Sequence, residues 1–116
     1  MTKANVLKIF RQYCNYWVNM FSLTDWDVKC IVIDDGDDNG NVLLNPDGRK
    51  ALISLCKNHE DIVSIQEIAL HECLEILFAD IGLMLQVYYS KDKVDDEIHK
   101  VINRLMPVLM PLTNKN

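Results

Sequence analysis

The chain has 116 residues, of which 49% are hydrophobic and 25% charged, a composition typical of a single globular domain spanning 1–116. Its formal net charge of −5 disfavours a nucleic-acid partner, because phosphate binding requires a basic surface. The sequence contains neither a run of about 18 apolar residues for a membrane span nor the pattern of a signal peptide. We therefore expect an intracellular, cytoplasmic protein without a membrane partner.

Apolar periodicity and turn residues predict helices and strands in a definite order. The predicted elements are a helix over 3–22, strands over 26–33, 42–44 and 50–56, a helix over 62–80, a short helix over 81–89 and a last helix over 94–109. Polar turns separate the strands, which favours antiparallel pairing. These elements predict an α+β fold with a small, mainly antiparallel sheet, and a frayed tail over about 112–116.

The four cysteines are widely and irregularly spaced, and none forms a C-x-x-C pair. We therefore expect reduced, mostly buried thiols rather than disulfides or a cysteine-based zinc site. A second motif is also discounted. Residues 35–40 match the opening of a calcium-binding loop, but the position of its bidentate glutamate holds Pro46, so a solvated turn is the better interpretation.

The segment His71-Glu72-Cys73-Leu74-Glu75 lies inside an otherwise apolar predicted helix. Residues four apart share a helical face, so His71 and Glu75 point the same way, with Glu72 beside them. Ionisable groups in apolar surroundings need partners, and this spacing is that of the H-E-x-x-H zinc helix with a glutamate replacing the second histidine. The pattern predicts a metal site.

A catalytic zinc site takes three protein ligands, commonly two histidines and a carboxylate. The third ligand must come from another element, and His99 borders the apolar stripe of the last helix, from which it can face a neighbouring helix. We predict zinc bound by His71, Glu75 and His99. Other candidates for the third ligand are Asp95, Asp96 and His59. Fe²⁺ and Mn²⁺ are alternative metals, because the same ligand set suits non-haem iron.

Glu72 is the predicted general base, because it neighbours a ligand and is offset around the helix, where it can accept a proton from water activated by the metal. The predicted reaction is hydrolysis of a peptide or related amide bond. Two alternatives remain open. The domain can be a non-catalytic metal-binding or protein-interaction module, or His71, Glu75 and His99 can form a metal-free hydrogen-bond network.

Residues 49–55 followed by 68–75 resemble the strand-then-helix core of the zincin metallopeptidases, in particular SprT-like and small phage-encoded metallopeptidase-like proteins. The resemblance implies a minimal zincin-like fold, with a metal-binding helix and a C-terminal helix after the sheet. It also implies that the strand before the metal helix is a sheet edge, where Ile53, Ser54 and Leu55 bind a peptide or protein substrate by strand addition. The chain departs from H-E-x-x-H at Glu75, which stands where the family has the second motif histidine. In one zincin branch the third ligand is a glutamate on a later helix, whereas the candidate at that place here is His99.

Overall fold

The computed structural model describes residues 2–34, 39–56 and 61–113. Within these ranges the chain forms four helices and three strands. In chain order they are α1 (Lys3–Met20), β1 (Asp27–Ile33), β2 (Gly40–Asn45), β3 (Lys50–Cys56), α2 (Ile62–Leu77), α3 (Ala79–Leu85) and α4 (Lys91–Thr113). The predicted α+β class is confirmed. None of the helices in the described ranges is long and apolar enough to cross a membrane.

The first helix is fixed by a polar cap and a buried stripe. The Thr2 hydroxyl accepts a hydrogen bond from the Asn5 amide at 3.2 Å, which satisfies one of the unpaired amides at the helix start. Its buried residues recur at helical spacing and enter the core: Val6, Phe10, Cys14 and Trp17. The helix stops at Met20, slightly before the predicted end, and Ser22 beyond it takes a left-handed φ of 55°.

The sheet has the strand order β1-β3-β2, with β1 parallel and β2 antiparallel to β3. The expectation of a mainly antiparallel sheet is therefore wrong, because only the β2–β3 hairpin pairs in that sense. The hairpin is closed at a tight turn in which the Gly48 amide donates to Asn45 Oδ1 at 3.1 Å. With β2 on one side of β3, β1 occupies the other side and runs in the same direction as β3.

The strand order also corrects the predicted substrate edge. Ile53, Ser54 and Leu55 lie on the central strand, where β1 and β2 already pair with both of its edges. All three residues are buried. The backbone groups of β3 are consumed by the ladders, so an extended peptide cannot add to it. Within the described residues, the unpaired edges of the sheet belong to β1 and β2.

The core lies between one face of the sheet and helices α1 and α2. α2 begins where predicted, with the Asp61 carboxylate accepting from the Ser64 amide at 2.9 Å. It ends at Leu77 rather than continuing to residue 80, because Phe78 caps it and the chain turns into α3. α4 then packs along α2, the arrangement that positions the candidate site.

The last helix is longer than the sequence suggests. It starts at Lys91 and continues through Pro107 and Pro111 to Thr113, although proline disfavours a helix interior and the tail from about 112 is predicted to fray. Pro107 and Pro111 are exposed, so water can hydrate the carbonyls that lose their helical donors. Leu112 packs against the core and Thr113 is buried, which secures this end of the helix.

Candidate metal centre

One side of α2 carries the polar pair predicted to bind metal. His71 and Glu75 are separated by one helical turn and therefore share a face. His71 is half-buried, and 23% of the Glu75 side chain is exposed. The remaining sides of the helix are dominated by fully buried residues: Ile65, Ala69, Leu70, Cys73 and Leu74. The polar face of α2 thus lies at the boundary between core and solvent, next to α4.

His99 on α4 joins this pair. Its Nε2 lies 3.0 Å from Glu75 Oε1, and its ring centroid lies 5.7 Å from that of His71. One ligand atom from each of the three residues lies within 4.8 Å of the others, and no other such group of His, Cys, Asp and Glu occurs in the described ranges. Tetrahedral zinc, bound at about 2.1 Å, requires ligand atoms about 3.4 Å apart, so modest side-chain rotations suffice to close the group around an ion.

The contacts of His99 orient its second ring nitrogen toward Glu75. His99 Nδ1 lies 2.8 Å from the Asp95 carbonyl oxygen, which can only accept, so Nδ1 carries a proton. The remaining nitrogen, Nε2, faces a carboxylate oxygen at 3.0 Å. The two contacts together hold the imidazole ring in a position from which Nε2 can bind a metal ion. A backbone carbonyl on one imidazole nitrogen is also the usual way of orienting a metal-bound histidine.

The protonation of His71 is compatible with the same chemistry. Burial lowers the pKa of His71 from its usual value of 6.5; the Glu75 carboxylate partly offsets this, and His99 adds to the lowering. A lower pKa favours neutral imidazole, which is the form that binds metal. At neutral pH the group therefore offers a neutral imidazole from α2, a carboxylate from α2 and an oriented imidazole from α4.

Glu72 lies beside this group in a more enclosed position. It is only 5% exposed, and a Cβ built on Gly40 would stand 3.5 Å from its Oε1 and 2.5 Å from Ile68 Cγ2. The first residue of β2 is thus a glycine because the strand passes directly over α2 at this point. Glu72 and His71 line the same surface cavity, which has a volume of about 330 Å³ and is bordered by Gly40 and Met106.

A second cavity opens on the other side of the group. It has a volume of about 410 Å³, and Glu75 and His99 form part of its wall. The apolar part of its lining comes from β2, α3, α4 and the residue that joins α2 to α3: Val42, Leu44, Leu83, Ile98 and Phe78. The three candidate ligands therefore stand between two cavities, and β2 borders both of them.

The structure brings together the three predicted ligands His71, Glu75 and His99, with Glu72 adjacent. Asp95 and Asp96 are not members of the group, and the Asp95 carboxylate instead pairs with Lys91 Nζ at 2.7 Å. The alternative ligand His59 lies outside the described residues, as do positions 35–38 of the discounted calcium loop.

Sequence reasoning missed the part played by β2 and α3. Val42 and Leu44 were assigned to a short strand without a role, yet they line the larger cavity beside the candidate ligands. The available signal was Gly40, since a glycine at the start of a strand can mark a close approach of backbone to another element. For Leu83 on α3 no comparable signal exists in the sequence.

Comparison with protein-family models, curated proteins and solved structures found no match to this chain. The resemblance to small zincin-like domains therefore stays a prediction.

Proposed function

We propose that the protein binds one divalent metal ion through His71, Glu75 and His99, with zinc as the first candidate. We further propose that it hydrolyses a peptide or amide bond at this metal site. The observation that carries this proposal is the convergence of two imidazoles and a carboxylate, from two packed helices, within 4.8 Å. Two histidines with one carboxylate is a common catalytic zinc set, which leaves a coordination position open.

When bound, zinc would polarise a substrate carbonyl and lower the pKa of water to about 7. Each side chain has a separate task in this scheme. His71 and Glu75 hold their positions on a rigid helix, and the Asp95 carbonyl orients His99. Glu72 accepts the proton of the attacking water and passes it to the leaving amine. Its position favours this task, because Glu72 lines the same cavity as the candidate ligand His71.

The surroundings of the group favour an extended substrate with a large apolar side chain. β2 has one edge that pairs with no described strand, and it borders the cavities on both sides of the ligands. An extended chain can hydrogen-bond along such an edge. Its apolar side chain would enter the 410 Å³ cavity between Phe78, Leu83 and Ile98. The edge assigned to substrate thereby moves from β3 to β2.

Metal content tests the ligand set. Tag-free protein, dialysed against zinc and then against metal-free buffer, should retain about one zinc per chain by elemental mass spectrometry. His71→Ala, Glu75→Ala and His99→Ala should each lose it. Asp96→Ala is the matched control, because Asp96 is an exposed carboxylate near His99 and outside the group, and it should keep the metal. Absence of zinc from the wild type would refute the proposed site.

Turnover tests the role of Glu72. A fluorescence-quenched casein digest assay should show hydrolysis by zinc-loaded wild type and none by Glu72→Gln with its zinc retained. Glu67→Gln is the control, since Glu67 is an exposed carboxylate lining the same cavity. If Glu72→Gln hydrolyses casein as fast as wild type, the proposed base is wrong.

A structural metal in a non-catalytic binding module is the second candidate. It is favoured by the origin of the ligands, because an ion held by His71, Glu75 and His99 would link α2 to α4. Zinc that stabilises the fold without hydrolysis of casein would select this candidate. A fold that binds no metal would instead leave a hydrogen-bond network of His71, Glu75 and His99 as the explanation of the group.

A further inference from the structure

The segment 81–89, which contains most of α3 and the turn after it, exposes an unusual amount of apolar surface. Every position in this segment except Gly82 and Gln86 holds a large apolar or aromatic residue that is exposed to solvent. Val87 and Tyr88 are the most exposed, at 76% and 84%. Soluble monomers rarely expose a contiguous apolar patch larger than a few hundred Å², so this segment requires an explanation.

The exposed residues of this segment are arranged on one side of a helix. The helical hydrogen bonding of α3 continues past its last residue, because the amides of Tyr88 and Tyr89 both donate to the Leu85 carbonyl, at 3.0 and 2.9 Å. Ile81, Met84, Leu85 and Tyr88 therefore follow the spacing i, i+3, i+4, i+7 and share one side. We call these four exposed residues the α3 apolar face.

The opposite side of α3 already packs within the subunit. Gly82 lies against α4, since a Cβ built on it would stand 3.0 Å from Ile98 Cδ1 and 3.8 Å from Val94 Cγ1. Leu83 lines the 410 Å³ cavity beside the candidate ligands. A helix that is apolar on all sides is normally buried on all sides. Among the described residues, the α3 apolar face has no such cover.

The distribution of charge favours a second copy of the chain over a membrane as this cover. Positions 81–90 contain no charged residue, whereas the whole chain carries a formal charge of −5. Two such chains repel each other least where the surfaces that meet are uncharged. A membrane-surface helix is instead flanked by basic residues, and the adjoining segment 91–97 holds two lysines against four acidic residues.

The size and composition of the patch also fit a dimer interface. A fully exposed large side chain presents about 150–200 Å². The exposed fractions over 81–89 then correspond to roughly 600–850 Å², and each subunit contributes about 800 Å² to a stable interface of standard size. Tyrosine and methionine, present here at Met84, Tyr88 and Tyr89, are enriched in protein interfaces.

We propose that the α3 apolar face is a homodimer interface, in which α3 of one subunit packs against α3 of a second copy about a two-fold axis. An isologous contact requires a surface that is complementary to itself, and an uncharged apolar helix face meets this condition without unpaired ions. The proposal does not depend on the metal centre, because His71, Glu75 and His99 all lie outside 81–89.

Sedimentation equilibrium over micromolar to sub-millimolar protein concentrations tests the interface. Wild type should reach twice the mass of the chain. Met84→Asp and Tyr88→Asp should each weaken the association at least about 100-fold, because each buries a carboxylate at the contact. Val63→Asp is the matched control, since Val63 is 58% exposed in the first turn of α2, at the end far from α3, and this variant should dimerise like wild type.

Two results of this experiment would overturn the proposal. One is a wild type that stays monomeric over the whole range, and flotation of that monomer with phosphatidylcholine vesicles would assign the patch to a lipid surface. The other is a dimer that neither Met84→Asp nor Tyr88→Asp weakens, which would place the interface elsewhere.

A salt titration of the wild type needs no variant and therefore no assumption about the folding of mutants. An uncharged interface loses no ion pair when NaCl is added, and salt screens the repulsion between two chains of charge −5. The dissociation constant of the dimer should therefore stay constant or decrease as NaCl rises. A dissociation constant that increases about ten-fold would show an interface held by ion pairs and would contradict the proposal.

Discussion

Replacing His99 by alanine separates the contribution of the metal from that of the fold. His99 is the one candidate ligand on α4, and 46% of its side chain is exposed. Without metal, we expect the substitution to remove a partly exposed pair with Glu75, at a cost of about 0.2–1 kcal/mol in the free energy of unfolding. With zinc, the loss should be much larger, because structural zinc binding by four ligands contributes about 10–16 kcal/mol, or roughly 3–4 kcal/mol per ligand.

That loss corresponds to an affinity roughly 100- to 1,000-fold weaker. At a zinc concentration about 100 times the wild-type Kd, binding should stabilise the wild type by about 2.7 kcal/mol and the variant by at most about 0.4 kcal/mol. For a chain of 116 residues, with an unfolding entropy of about 2.1 cal/mol/K per residue, these values correspond to zinc-induced Tm increases of about 11 °C and at most about 2 °C.

Differential scanning calorimetry with and without zinc measures this difference. Asp95→Ala is the matched control on the same helix, because it removes an alternative ligand whose side chain pairs with Lys91 and leaves the backbone carbonyl that orients His99. We expect the control to keep the zinc-induced increase in Tm. If His99→Ala keeps it as well, or if Asp95→Ala loses it, the ligand assignment is refuted.

Three further predictions concern stability measured by denaturant unfolding of metal-free protein. The pKa of His71 is lower in the folded state than in the unfolded state, so the unfolded state binds a proton first as the pH falls. The free energy of unfolding should therefore be highest above pH 6.5, the ordinary pKa of histidine, and should decrease as the pH falls from 6.5 through the lowered pKa of His71. His71→Gln should reduce this pH dependence. Gly40→Ala should lower the free energy of unfolding by about 1–3 kcal/mol, because the new Cβ would stand 2.5 Å from Ile68 Cγ2. Asn41→Ala is the control at an exposed position and should change stability little. In the double variant, Ile68→Ala should remove this clash and recover part of the stability lost by Gly40→Ala. Arg49→Gly should be about 1 kcal/mol more stable than Arg49→Ala. Both variants lose the ion pairs of the guanidinium, but only glycine adopts the left-handed φ of 53° without steric strain. Equal stabilities of the two variants would contradict this reasoning.

The elements of this fold were predictable where a local pattern defines them. β3 spans the residues predicted for it, since alternation and flanking turns identify a strand within a few residues. The order of the strands was not predictable in the same way, because alternation identifies the two faces of a strand and says nothing of its neighbours.

The prolines of α4 show a second limit of local rules. Pro107 and Pro111 each remove a backbone donor, which predicts a loosened helix end. Whether the helix continues depends on exposure of the affected carbonyls and on packing beyond the prolines. Here Leu112 packs against the core and Thr113 is buried, and neither fact can be read from the segment itself.

The candidate ligands were predictable for a physical reason that the fold then supports. An apolar helix tolerates His71 and Glu75 only where a polar partner meets them, and few other side chains of this sequence can bind metal. His99 met the condition because it borders the apolar stripe of α4, and helices pack along such stripes. The same reasoning could not identify the cavities, because their walls combine side chains from four elements.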